Sequence, residues 1–404
     1  MSTAPYSALT FDRAVTSTSG ESGSESAEDL RSRLVHLLNE HLTEERLIAH
    51  DEGEKYDVEL FRTLAKAGFI QLESTIGGGP AKHRSQTLVL EELGARATSM
   101  GVSFVVQYMG VELLHSFGSQ NQQERFLAPL FAGDAKMSFA LSEPAGGTDV
   151  ARAMTTRAIK QPDGSFLING AKKWIGGASD ADYLIVLART TDIQRSSIDG
   201  ITMFIMPRDT PGITTQPIDT VGIRALEQCD IEFTDVRVPT ELVLGEVDEG
   251  FRHVLGTLNG ERLNGAAVAL GIARGALDYA VEYVKERHAF GRPIGAFQAL
   301  QHKLVDSSIK VESTRLLLEK AATTSDDHDG ADETLSAMAK LAAADAATTA
   351  TDVGMRAMGG WGFLRQLPMQ RYFRDARLYT FAPLTDDMIR NYIGEKHLHL
   401  PRSY

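Results

Sequence analysis

Segregated blocks of helical, strand and again helical patterning along 404 residues predict an α+β fold with separate helical and β units rather than an alternating parallel sheet. Two observations carry this. Apolar residues three and four apart run through the first and last thirds, and short runs rich in Val, Ile, Thr and aromatics, separated by Gly, Pro and Asp, fill the middle. No internal repeat is present.

Residues 1–27 are dominated by Ser, Thr, Gly and Glu and hold too little apolar surface to offset the entropy of ordering, so they read as a disordered tail. Residues 28–134 read as an N-terminal helical domain. In L-R-S-R-L-V-H-L-L-N from Leu30 and L-F-R-T-L-A-K-A-G from Leu60 the apolar positions share one helix face, until Gly77, Gly78, Gly79 and Pro80 break the pattern. Residues 135–245 read as a central β domain, with strands at 183–188, 201–207 and 230–239. Residues 246–404 return to helix. Leu270, Leu277, Val281 and Val284 share one face, Leu304, Val311 and Leu318 recur every seventh position, and the Ala-rich stretch 336–357 forms a further long helix.

Charge and cysteine content narrow the function. With 41 basic and 54 acidic residues the net charge is −13, which disfavours general electrostatic binding to nucleic acid. A single cysteine, Cys229, excludes an internal disulfide or a multi-thiolate metal site and reads as a small buried apolar residue in a reducing compartment. No apolar run of about 18 residues is present, so no membrane span is expected. The N-terminal stretch has neither the apolar core of a secretory signal nor the Arg-rich character of a transit peptide, and a cytoplasmic location is expected.

The specific text begins at Ser138 with S-F-A-L-S-E-P-A-G-G-T-D. I-N-G-A-K-K-W-I, F-T-D-V-R-V-P before L-G, E-R-H-A-F-G-R-P-I-G-A-F-Q with Gln301, M-G-G-W-G-F and R-Y-F-R-D-A-R then follow. In this order and spacing the blocks resemble the acyl-CoA dehydrogenase family over nearly all of the chain from about residue 28. The resemblance implies an N-terminal helical domain, a central β-barrel-like domain and a C-terminal four-helix bundle. It also implies FAD held between the last two and shared with a second subunit of a homotetramer built as a dimer of dimers.

Carried over residue by residue, the resemblance places Leu141 and Ser142 at the flavin ring, Trp174 beside it, and Thr148 at the ligand phosphates near the ring. It assigns Arg287, Phe290 and Gln298 to the cofactor of a neighbouring subunit, together with Met358, Gly359 and Gly360, and gives Thr385 a further contact. Three positions depart from the family pattern. Gly176 stands where a Thr or Ser commonly donates to the flavin, and Arg356 stands where Gln is usual, still able to pair with a phosphate. Pro383 occupies the position where many members carry the catalytic Glu, and proline cannot take a proton.

In the isovaleryl-type and long-chain members the carboxylate sits instead on a helix of the C-terminal bundle, just before an Arg. Glu261, followed by Arg262, matches that place in L-N-G-E-R-L, 29 residues ahead of Phe290. The alternative reading is a solvated acidic residue in the first turn of a helix. The resemblance thus implies that Glu261 takes the α-proton of an acyl-CoA thioester. A backbone N–H of residues 382–384, which include Pro383 and Leu384, would hold the carbonyl together with the flavin ribityl hydroxyl, with Asn259 and Arg262 on the CoA arm and an electron-transfer flavoprotein as electron acceptor. An enoyl-CoA reductase or a carrier-protein-thioester dehydrogenase of the same fold is the alternative. A DNA-binding stress-response homologue of this family is opposed by the acidic charge.

Overall fold

A computed structural model of the chain describes residues 25–72, 82–328 and 330–403. The N-terminal unit comprises α1 (Ala27–His41), α2 (Glu44–Gly53), α3 (Val58–Lys66), α4 (Lys82–Arg96), α5 (Thr98–Phe117) and α6 (Gln120–Phe131). Most of the expected disordered tail, residues 1–24, lies outside the described residues, as does the Gly77–Pro80 break. Residues 25–27, assigned to the tail by composition, instead open α1. Ser26 and Asp29 form a reciprocal capping box, Glu25 pairs with Arg33 at 2.8 Å, and Leu30, Leu34 and Leu38 carry the helix into the core.

The β unit contains β1 (Met137–Ala140), the short α7 (Val150–Ala153), β2 (Arg157–Lys160), β3 (Phe166–Gly176), β4 (Tyr183–Arg189), β5 (Ile201–Pro207), β6 (Ile213–Ile218) and β7 (Gln228–Val238). They form one seven-stranded sheet in the order β1-β4-β2-β3-β7-β6, with β5 antiparallel to β4. β1 and β2 lie parallel to β4, and the remaining pairs are antiparallel. Cys229 on β7 is fully buried, as its apolar character required.

The last unit is built on α8 (Gly250–Glu286), followed by a two-residue hairpin of β8 (His288–Ala289) and β9 (Arg292–Pro293). α9 (Gln298–Asp327), α10 (Glu333–Met358), α11 (Met369–Ala376) and α12 (Asp386–Lys396) complete it, and α8, α9, α10 and α12 make the bundle. Leu304, Val311 and Leu318 are buried, as their seven-residue spacing predicts.

The seating of α8 on α4 fixes where the later residues point. A Cβ at Gly94 would stand 2.3 Å from the Val268 carbonyl oxygen, and one at Gly271 only 2.2 Å from that of Glu91, so the two backbones touch where only glycine fits. Beside that crossing Arg274 reaches Glu91 at 3.2 Å and Glu92 at 2.8 Å. Asp375 of the R-D-A run, buried at the end of α11, accepts the Ile223 N–H at 2.7 Å and so ties the bundle to the β6–β7 connection.

Candidate active site

Glu261 lies a dozen residues into α8, which removes the first-turn reading. Its carboxylate is half-buried and makes no hydrogen bond or ion pair with another described residue. Burial pushes its pKa up to about 7, opposed by the charge of Arg262. It retains some contact with solvent while standing deep among protein atoms, the situation of a carboxylate lining a recess. Arg262 is turned away to other partners: it donates to Asn259 Oδ1 at 2.8 Å and lies over the Tyr392 ring of α12 at 5.4 Å.

The segment before α12 packs against α8 one turn beyond Glu261. One turn along α8, a Cβ at Gly265 would meet Pro383 Cδ at 3.5 Å and Tyr379 at 3.7 Å. Residues four apart share a helix face, so Glu261 stands on the side of α8 that Pro383 packs against one turn further on. The Ala382 N–H is spent on the Leu378 carbonyl at 2.9 Å, and Pro383 has none to give. Thr385 caps α12, its hydroxyl accepting the Met388 N–H at 3.3 Å. Behind this segment Lys340 of α10, 1% exposed, donates to the Leu384 carbonyl and to Asp386 Oδ1, both at 2.8 Å.

On the sheet, Trp174 stands 56% exposed at the end of β3 with φ +62°, beside the β-bulge that the strand makes between Lys172 and Ile175. Leu141 and Ser142 run alongside: the Lys173 N–H donates to the Ser142 carbonyl at 2.9 Å, and Lys172 Nζ to the Leu141 carbonyl at 3.0 Å. Lys172 also donates to Glu143 at 2.8 Å, and Glu143 accepts the N–H of Thr155 at 2.6 Å and of Thr156 at 3.1 Å. Burial opposes ionisation of Glu143, but Lys172 and the threonine donors hold its carboxyl below the usual range. Glu143 and Lys172 were not singled out from sequence. The signal available was a lysine at an inward position of an otherwise alternating strand.

Gly176 is partly open on the same face as Trp174, and the Gln228 amide lies 3.4 Å from where its Cβ would be. Thr148 is exposed in the turn after β1. An exposed indole on a fixed turn, with glycine next to it, fits a flat aromatic ring such as a flavin. At the end of α10, Gly359 with φ +57° and Gly360 have no atom within 4 Å of a Cβ position, and this open backbone fits close approach of a dinucleotide.

Arg287 and Phe290, the latter 95% exposed with φ +53°, sit past the far end of α8 with Gln298 at the start of α9. At 1.5 Å per residue they lie about 38 Å from Glu261, so they do not join its recess. Arg356 is exposed and pairs with Asp352 at 2.8 Å, while Met358 is buried.

An exposed tryptophan on the sheet and a half-buried carboxylate on α8 are the two features around which the candidate site is built. Family models described as acyl-CoA dehydrogenase N-terminal, middle and C-terminal domains match residues 24–134, 138–236 and 248–398. The short-chain specific mitochondrial acyl-CoA dehydrogenase of Rattus norvegicus is 36% identical over 360 residues, 88% of this chain and 85% of its own. FadE12, an acyl-CoA dehydrogenase of Mycobacterium tuberculosis, is 34% identical over 361 residues, 88% and 92% respectively. Among solved structures, butyryl-CoA dehydrogenase from Megasphaera elsdenii superposes with a TM-score of 0.83 at 33% identity, covering 90% of this chain and 96% of that one. The chain belongs to the acyl-CoA dehydrogenase family, and its cofactor is FAD.

Proposed function

We propose that this enzyme removes two hydrogens from the α- and β-carbons of an acyl-CoA thioester, with Glu261 as the base. The observation that carries the reading is a partnerless carboxylate on α8, its pKa raised by burial to about 7, set against a segment whose Pro383 cannot serve as a base. Glu261 takes the α-proton as the α-C–H bond breaks, and Arg262, pointed toward Asn259 and Tyr392, leaves that carboxylate basic while standing ready for the CoA arm. FAD, when bound, supplies the acceptor for the hydride that leaves the β-carbon. Leu141, Ser142, Thr148, Trp174 and Gly176 would hold its ring and nearby groups, and Thr385 would touch it again.

An electron-transfer flavoprotein is the proposed partner that reoxidises the enzyme, and a reducing cytoplasm the proposed compartment. Among the described residues no helix is long and apolar enough to cross a membrane. We further propose a homotetramer, a dimer of dimers, in which Arg287, Phe290, Gln298, Arg356, Met358, Gly359 and Gly360 serve the cofactor of a neighbour. The distance of Arg287, Phe290 and Gln298 from Glu261 supports this, as does the exposed stripe Val305, Ile309 and Leu316 on α9. Sedimentation is expected to show a tetramer that loses FAD on dissociation. A stable monomer holding FAD tightly contradicts it.

The reading is tested by anaerobic bleaching of the visible flavin band with a panel of saturated acyl-CoAs. Bleaching by one of them is expected. Failure with every saturated ester, together with reoxidation of the reduced enzyme by enoyl-CoAs, replaces dehydrogenation with enoyl-CoA reduction.

A further inference from the structure

We infer that the Leu384 N–H is the protein's donor to the substrate carbonyl and that Lys340 is the positioning residue that aims it, an inference resting on the proposed thioester site beside Glu261. Of residues 382–384, Ala382 spends its N–H on Leu378 and Pro383 has none. The Leu384 N–H has no partner among the described residues. Elimination leaves one donor in this stretch, and a single donor must be aimed well to act on developing charge.

Lys340 does the aiming. It binds the carbonyl of Leu384, the residue that carries the free N–H, and the Asp386 carboxylate that follows it, each at 2.8 Å. The two anchors straddle the helix cap at Thr385, so the chain from Leu384 into α12 is held at both ends. Burying an ammonium costs several kcal/mol unless it is well paired, so a lysine 1% exposed is an expensive way to fill space. A second tie locks the same helix: the Tyr392 hydroxyl donates to Glu333 at the start of α10, and Arg262, next to the base, lies on the Tyr392 ring. α8, α10 and α12 are thus tied to one another through Lys340, Tyr392 and Arg262. Lys340 is committed to the Leu384 carbonyl and Asp386 Oδ1, so it acts through the position of Leu384.

The test uses holoenzyme and acetyl-CoA labelled with ¹³C at the carbonyl, an ester that lacks a β-carbon and so cannot be oxidised. Its carbonyl stretch is expected to shift to lower frequency on binding to the wild type. Lys340→Met is expected to retain FAD and to lose most of that shift, and with an oxidisable acyl-CoA to slow flavin bleaching by ~10-fold or more at saturation. Lys340→Arg is expected to recover part of both. Asp386→Asn keeps the Leu384 anchor and is expected to give a smaller loss of the same kind, which decides the matter if Lys340→Met does not accumulate as holoenzyme. An unshifted carbonyl in the wild type, or a full shift and wild-type bleaching in Lys340→Met or Asp386→Asn, overturns the inference. Loss of FAD in step with loss of rate in both also overturns it, leaving a structural lysine. A Glu261→Gln enzyme that bleaches normally removes the base assignment while leaving the carbonyl shift to be read on its own.

Discussion

Glu143 and Glu261 are both carboxylates withdrawn from bulk water, one in the sheet and one in the bundle, and their surroundings set them to opposite tasks. Glu143 is 2% exposed and satisfied by Lys172, Thr155 and Thr156, so it stays ionised and serves as a staple. Glu261 is less deeply covered, yet it has no donor, and its pKa rises to about 7. Burial alone does not make a base. What distinguishes the two is whether the protein supplies hydrogen bonds to the anion, and a group denied them is left to find its proton on a substrate.

The largest expected effect comes from breaking the satisfied member. Lys172→Met strands the Glu143 charge in the sheet and is expected to cost about 3–5 kcal/mol in denaturant unfolding at neutral pH. It is also expected to loosen FAD, because Lys172 anchors the Leu141 carbonyl beside Trp174. Pairing it with Glu143→Leu should recover most of the stability, and a double variant as weak as the single one contradicts the staple.

Glu261→Gln addresses the other member. It is expected to keep FAD and acyl-CoA binding while slowing anaerobic flavin bleaching by at least ~100-fold, the lower range for loss of a general base. Near wild-type bleaching would move the base elsewhere, with Asp386 and Asp387 the next carboxylates to replace.

The pH dependence sharpens the contrast further. A base with a pKa of about 7 is mostly protonated below it, so the wild-type bleaching rate is expected to rise ~10-fold per pH unit up to about 7 and then level off. A rate that stays level from pH 7 down to about 5 and falls only below that, as a carboxylate of ordinary pKa would give, contradicts the raised value.

The smallest effect is thermodynamic and has opposite signs at the two sites. The folded pKa of Glu261 lies above its unfolded value of 4.5, so its share of stability is present at acid pH and lost as pH rises toward 7. Above pH 7 Glu261→Gln is therefore expected to be the more stable protein by about 1 kcal/mol, a figure reduced for the contact the side chain keeps with solvent. Glu143, with a lowered folded pKa, contributes above the ordinary carboxylate range and loses its contribution as pH falls through that lowered value. Denaturant midpoints of Glu261→Gln and wild type at pH 5 and pH 8 check the sign. Equal differences at both contradict it.

Much of the candidate site was legible in the chain because it is carried by continuous text. Glu261 and Arg262 are neighbours, the turn around Leu141 and Ser142 is a single run, and the glycines at 359 and 360 follow a helix whose Ala-rich pattern is plain. Pro383 at a position that needs a carboxylate was equally visible, since proline announces what it lacks. The polar ties around these residues were not visible. Lys340 reaches residues 44 and 46 positions away, and Lys172 reaches Glu143 across 29. Lys340 reads in sequence as an ordinary polar break in an Ala-rich helix. Residues 25–27 were misassigned for a related reason: composition registers too little apolar surface, whereas a capping box needs only two side chains and a helix to cap.

The sequence by itself determined the order of helical and strand units and the family to which they belong, and it singled out Glu261 on α8 as the proposed base. Those properties rest on periodicity and on the chemistry of single residues, which a chain displays before it folds. Tertiary structure alone decided that Lys172 pairs with Glu143, that Glu261 finds no hydrogen bond or ion pair among the described residues, and that Lys340 holds Leu384 and Asp386. Pairing depends on distances between residues far apart in the chain, and a hydrogen bond across 40 positions leaves no period in the sequence to read.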